Sequence, residues 1–346
     1  IFSLLDDCKR FGTLAFAHAA RSGFIATTWL KNCVATGAFT DDRRLSFLKS
    51  FSTVAGEFEK DKSIYALGEL SQKSLVTKYG HLRPGTYEVI AQAYWEDPSR
   101  YLGSESIHSP HTKQQFKFSE AEIKHFEQML DELGSSITPQ EMVQYLIDAI
   151  QSRESVKFEF TKNLSLALDL CIELVQASNL TREDVSFLEY SDLEKLKLNA
   201  ISLMGLKEQI ELRKQQHAIT RLIELPSLIL KQEDFYCFER FASQPNFITI
   251  NKVVAWVHQL DLEPTKDIAG KLILIPQADP GYDWLFGHGI VGLITKYGGA
   301  NSHMAIRAAE IALPAAIGVG EKLYEQISIM KHVELDCLNH TIREVQ

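Results

Sequence analysis

No run of apolar residues in this chain approaches the roughly 18–20 needed to span a bilayer, and no signal-peptide pattern is visible. Cysteine is sparse. Cys8, Cys33, Cys171, Cys237 and Cys337 are widely scattered without a CxxC pair, which fits reduced thiols in the cytoplasm better than a disulfide scaffold. A basic excess is also lacking: the net charge is -9, which argues against nucleic acid or an anionic membrane as the main partner. Phosphate chemistry survives that exclusion, because local backbone donors can bind phosphate inside an acidic protein. Internal repeats, low-complexity tracts, Walker-type loops and Gly-rich nucleotide lids are all missing.

What remains is an ordinary globular composition, 45% hydrophobic and 23% charged over 346 residues, a length that suggests two domains more readily than one. Up to about residue 240 the period is helical. Glu120 to Leu133, Pro139 to Gln151, Leu164 to Ser178 and Ser191 to Leu225 repeat apolar residues at three- and four-residue spacing. Ser119 before an acidic turn and Thr138-Pro139-Gln140-Glu141 are helix starts. Gly134-Ser135-Ser136 and Asn179-Leu180-Thr181 read as breaks. Tyr79 to Tyr101, rich in Gly, Pro, Tyr and charge, reads as an ordered irregular loop among the helices. The chain opens on Ile1 already in helical-looking sequence, as the later part of a longer polypeptide would.

After about residue 245 the pattern changes to short Val- and Ile-rich strands: Phe247 to Val257, Lys271 to Ile275, Gly289 to Ile294, Ala315 to Ile317 and His332 to Leu338. One clear helix, Ser302 to Ala312, lies among them and ends at Leu313-Pro314. The expected architecture is therefore α plus α/β: a helical domain over residues 1–245 and a compact β/α domain over residues 246–346, joined near Ser243-Gln244-Pro245-Asn246.

The chemistry concentrates in Thr295-Lys-Tyr-Gly-Gly-Ala-Asn-Ser-His303. A strand ends near Thr295, and Gly298-Gly299 let the backbone turn sharply and approach a ligand. Ser302 is a good N-cap, which puts His303 in the first helical turn among free N–H groups at the positive end of the helix dipole. Imidazole is a competent nucleophile at neutral pH, and a phosphohistidine splits one difficult transfer into two easier ones. Arg307, four residues on, shares a helical face and could pair with phosphate oxygens. Taken alone, the same string also fits a Gly-Gly turn whose histidine merely packs or caps.

The wider pattern decides between them. Thr295 to Ile306, then Glu310-Ile-Ala-Leu-Pro314-Ala-Ala-Ile-Gly318, resembles the signature of the phosphohistidine swivelling domain of phosphoenolpyruvate synthase, pyruvate phosphate dikinase and rifampicin phosphotransferase. Ile275-Pro-Gln-Ala-Asp279-Pro280-Gly-Tyr-Asp-Trp284 looks like the same domain's strand and Asp-Pro turn. The resemblance implies that His303 is the phosphoryl acceptor and that Thr295, Gly298, Gly299 and Ser302 shape its loop. It departs at two points: the family usually carries Arg directly before the glutamate matching Glu310, where this chain has Ala309, and the family's Gly-rich opening strand is not evident around Ile250-Asn251-Lys252. Arg307 is then the candidate for the phosphate-facing role.

Tyr79-Gly80-His81-Leu82-Arg83-Pro84-Gly85-Thr86-Tyr87-Glu88 and Trp95-Glu96-Asp97-Pro98 are similar to the helical acceptor domain of rifampicin-phosphotransferase-like proteins. His81, Arg83, Tyr87 and Glu88 are the candidate acceptor-binding residues; their alternative is a structural turn whose charges pair with one another. An Arg with a Glu suits a small zwitterion, and within this superfamily glutamine kinases, which phosphorylate the amide nitrogen, would use such a pocket. The resemblance further implies ATP as phosphoryl source. ATP would bind with Mg²⁺ in an ATP-grasp domain outside these residues, upstream in the same polypeptide or in trans. The competing readings are a piece of a phosphoenolpyruvate-forming enzyme and a non-catalytic phosphocarrier or regulatory module. His108-Ser-Pro-His111 has no Cys or carboxylate partner nearby, so no metal site is expected in this chain. Arg213 to His217 reads as a solvated helix face, and Cys237 as a small buried apolar residue.

Overall fold

A computed structural model describes residues 1–48, 50–85, 87–103, 116–176, 178–223, 225, 229–236, 244–260, 268–300 and 302–345. Thr86, His108, His111, Cys237, Ser243 and Asn301, singled out above, lie outside the described residues. The chain forms two compact units. One comprises Ile1–Leu82 with Leu102–Ala167; the other comprises Arg83–Tyr101 with Leu168–Gln346. That division differs from a single cut at 245/246, because Arg83–Tyr101 and the helices after Leu168 make their contacts in the same unit as the strands.

The first unit is helical. Its core interleaves Trp29, Leu30, Phe39, Phe47, Phe126 and Leu146, each at most 7% exposed. The aromatic rings meet edge-on, as Phe47 does with Phe116 at 5.3 Å between centroids. Ser119 caps Glu120–Glu132 as its sequence suggests, with a reciprocal bond from Glu122. The helices expected at 139–151 and 164–178 are one 38-residue helix, Pro139–Gln176. No Gly or Pro stands between them, so helical propagation has nothing to stop it. In the second unit, conversely, the stretch expected as one helix from Ser191 is two, Tyr190–Lys197 and Leu203–Thr220. Asn199 turns left-handed at φ 54, and Ser202 caps the second by accepting from Gly205 N. Among the described residues no helix is long and apolar enough to cross a membrane.

The second unit is organised by a seven-stranded sheet. In chain order its strands are β1 (Asn246–Ile248), β2 (Lys252–Gln259), β3 (Leu272–Gln277), β4 (Gly292–Tyr297), β5 (Ala315–Ile317), β6 (His332–Asp336) and β7 (Thr341–Glu344). The spatial order is β1-β5-β4-β3-β2-β6-β7; β2, β3, β4 and β5 are parallel, while β1, β6 and β7 pair antiparallel. Leu272 to Ile275 and Leu293 to Thr295 are fully buried, the continuous apolar run of strands covered on both faces. The first expected strand is split by a turn at Thr249, whose φ is 75. β7 and the helix Glu321–Ser328 were not anticipated; His340, at φ 54, makes the tight return into β7.

Two crossovers matter for function. β3 leads through the short 3-10 helix Pro280–His288 to β4, and β4 leads through the helix His303–Glu310 to β5. Arg83–Tyr101 packs on the first of these. Tyr94 OH donates to Gly281 O at 2.8 Å, and Tyr101 meets Trp284 edge-on at 5.5 Å. A Cβ on Gly281 would stand 1.8 Å from Arg83 O, so only glycine permits this approach.

Two outcomes test this description. Gly281→Ala should destabilise the protein by roughly 2 kcal/mol or more, since backbone must move to admit the methyl group. Gly299→Ala, where a Cβ meets nothing within 4 Å, should cost much less in the same urea titration. The second concerns His81, 3% exposed and edge-on to Phe158 at 4.6 Å. Burial, helped by the nearby Lys162 charge, lowers its pKa from 6.5 to about 4. The unfolded chain therefore takes up this proton first, and stability drains away as pH falls from 6.5 toward 4, by roughly 3 kcal/mol at the end. In His81→Leu, unfolding measured across that window should lose this component of the acid slope.

Candidate functional site

The site grows from the carboxyl ends of β3 and β4, where loops of parallel sheets converge. The last rung of the ladder pairs Gln277 with Tyr297, and Ala278 N donates to Tyr297 O at 3.1 Å. From these adjacent ends two segments diverge, one toward Asp283 and the other toward His303. Asp279 opens the first by accepting from Gly281 N at 2.8 Å. Thr295 braces the second. Its buried hydroxyl donates to Tyr297 O and accepts from Gly318 N, both at 3.0 Å, tying the end of β4 to the end of β5.

Gly298 adopts φ 140, and a Cβ there would lie 2.6 Å from that of Ala278. The chain then returns through Ser302, whose N–H donates to Gly299 O at 2.9 Å and whose Oγ accepts from Ala305 N at 3.3 Å. Ser302 is the N-cap and His303 the first residue of the helix His303–Glu310. His303 thus stands in the first turn, at the positive end of the helix dipole.

His303 Nε2 lies 2.8 Å from Asp283 Oδ1. Both atoms are buried, although the imidazole as a whole is 20% exposed and so still open on another edge. Arg307 comes to the same oxygen, its Nε at 3.8 Å, while Nη1 contacts Glu310 Oε2 at 2.6 Å. Arg307 also lies over the Phe286 ring at 5.8 Å. One buried carboxylate thereby faces two bases of the same helix, four residues apart on one face. Asp283 was quoted in the sequence motif but given no role. Its position after Asp279-Pro280-Gly281 was the available signal, yet only the β3–β4 pairing reveals that it faces His303.

The acceptor-side candidates separate. His81 is buried in the first unit, and the described arrangement gives it no open edge for a ligand comparable to that of His303. Arg83, 1% exposed, spends its guanidinium within the second unit, on Asp169 Oδ1 at 2.8 Å and Ala91 O at 3.1 Å. Trp95 Nε1 donates to the other Asp169 oxygen at 2.7 Å. Tyr87 and Glu88 are exposed; Glu88 Oε1 accepts from Ile90 N at 3.2 Å. Partial burial and the Asp279 carboxylate push the Tyr87 phenol upward, so it stays a donor at neutral pH. Arg213, read as part of a solvated face, instead pairs with fully buried Asp192. A groove of about 630 Å³ in the first unit, between Phe11 and Phe160, is lined by none of the candidate residues. No cluster of three or more potential metal ligands occurs among the described residues.

Comparison with known proteins agrees with this geometry over part of the chain. No curated protein matches it. Residues 269–339 match the family model described as PEP-utilising enzyme, mobile domain, a span from β3 through β6 that includes Asp283, Thr295 and His303. The match supports the PEP-utilising enzymes for this region and, with them, a phosphohistidine-carrying component of a phosphotransferase.

Proposed function

We propose that this chain is part of an ATP-dependent phosphotransferase in which His303 takes a phosphoryl group and hands it to a small polar acceptor. The observation that carries this reading is the placement of His303 at the first position of a Ser302-capped helix, beside a two-glycine turn at the carboxyl ends of parallel strands. An imidazole nitrogen attacks phosphorus with its lone pair while the bond from phosphorus to the leaving oxygen breaks, the electron pair departing with that oxygen. The acceptor nucleophile repeats the displacement and restores the imidazole. Backbone N–H groups at the helix start and across Gly298-Gly299 are the natural donors to the transferred oxygens. Mg²⁺, bound with ATP in an ATP-grasp domain outside these residues, would neutralise charge on the donor phosphates.

On the acceptor side, Tyr87 and Glu88 are the candidates that solvent can reach, and we assign recognition to them. Arg83 and His81 keep the loop in shape instead. An exposed carboxylate beside a phenol donor suits an ammonium-bearing acceptor, with the side-chain amide of glutamine as the nucleophile first in line.

With β- and γ-labelled ATP and the ATP-binding domain supplied, label should enter the protein in an acid-labile, alkali-stable form. It should vanish in His303→Ala; label retained in that variant would overturn the assignment. Glutamine should then discharge the labelled protein. Glu88→Gln should raise the glutamine concentration needed by roughly tenfold, the scale of one lost charge-assisted hydrogen bond. Discharge indifferent to glutamine and to every other amino acid would exclude this acceptor class.

A further inference from the structure

Resting on the reading of His303 as phosphoryl acceptor, one feature of the site is left over. The nitrogen held most closely, Nε2, is buried against Asp283 Oδ1 at 2.8 Å. A phosphoryl group on that nitrogen would have to occupy the place of the carboxylate oxygen, and two anionic groups would be forced into contact. The contact and the phosphoryl group exclude one another. Asp283 does not lose all compensation when the ring leaves, because Arg307 Nε already stands 3.8 Å from the same oxygen. Arg307 in turn is tied to Glu310 through a different nitrogen, Nη1, so it can approach Asp283 without giving up that partner.

We propose that Asp283 is a positioning residue acting as a latch: it holds the unphosphorylated His303 ring by Nε2 and exchanges it for Arg307 when the ring is phosphorylated. In the latched state the proton lies on Nε2, toward the carboxylate. On release Nε2 gives its proton to solvent while Nδ1 takes one up, and the Nε2 lone pair attacks phosphorus as the bond to the leaving group breaks, the electron pair departing with that group. Asp283 remains ionised throughout and closes on the Arg307 guanidinium. When the phosphoryl group departs to the acceptor, Nε2 takes a proton from solvent, Nδ1 gives its proton up to solvent, and the ring returns to Asp283. The latch raises the transfer potential of the phosphorylated state, because returning the bare ring to its carboxylate is part of the driving force for discharge.

Three Asp283 and Arg307 forms separate the outcomes, and phosphoramidate serves as a small phosphoryl donor that needs no nucleotide domain. Site-resolved mass spectrometry follows His303, and ¹⁵N-histidine NMR identifies the nitrogen that carries hydrogen or phosphorus. The native ring should show hydrogen on Nε2 before loading and phosphorus on Nε2 after it. Asp283→Asn, which keeps the shape but takes the negative charge out of the 2.8 Å contact, should load roughly tenfold faster and discharge more slowly. Arg307→Gln, which removes the replacement partner, should load more slowly than native. Asp283→Glu keeps the charge and should stay near native. Loading on Nδ1 alone, or an Asp283→Asn protein that loads no faster, overturns the latch while leaving His303 as the acceptor. Failure of His303 to load in every form removes the phosphohistidine reading itself.

Discussion

The pairing of β3 with β4 is the constraint on which the site depends. Its rungs run from Leu272 opposite Gly292 to Gln277 opposite Tyr297, and they fix where two segments leave the sheet side by side. One carries Asp283 and the other His303. Side chains alternate along a strand, so a slip of one residue would turn Thr295 out of the interior and dissolve the bridge it makes to Gly318. The continuous burial of Leu272–Ile275 against Leu293–Thr295 makes such a slip costly, because an apolar strand covered on both faces has nowhere else to go. Precision at the imidazole is thus inherited from a ladder of aliphatic residues that never touches it.

Electrostatics adds the second requirement. Asp283 is only 4% exposed, and a carboxylate so placed needs compensating charge close by. Arg307 supplies it from the helix face that also brings the His303 imidazole to the same oxygen, and the 3-10 segment that carries Asp283 is itself anchored by Tyr94, Tyr101 and the close approach at Gly281. The site is therefore held from two directions: by the sheet beneath and by the Arg83–Tyr101 segment against its side. A histidine stationed at a helix start gains orientation from this arrangement without being buried outright.

Much of this was legible in the amino-acid order. Gly298-Gly299 followed by Ser302-His303 declared a turn, a cap and a first-turn histidine, because each step is local and uses a residue type suited to it. The same locality explains the Ser119 cap and the parallel strand cores. Features that arise between distant segments were hidden. Asp283 faces His303 only once two strands pair, and Arg83, whose charge suggested ligand recognition, finds Asp169 86 positions away in sequence. Arg213 misled for the same reason, with its partner Asp192 on a different helix. Helix lengths failed differently: the apolar period reads to Gln151 and again from Leu164, but without Gly or Pro the stretch between is carried by its strong neighbours.

The contact at Gly281 is made by main chain on both sides, with the Arg83 carbonyl against a residue that has no side chain at all. Apart from glycine at 281, such a joint makes no demand on side chains at the point of contact. Glu88, a few positions along the same segment and exposed, stands outside that main-chain contact, whereas Tyr87 feels the Asp279 carboxylate at the start of the Asp283 turn. On the proposed reading, a scaffold jointed in this way would separate the inheritance of transfer chemistry from the choice of molecule that receives it, so that the recipient could change over generations while the machinery of delivery stayed the same.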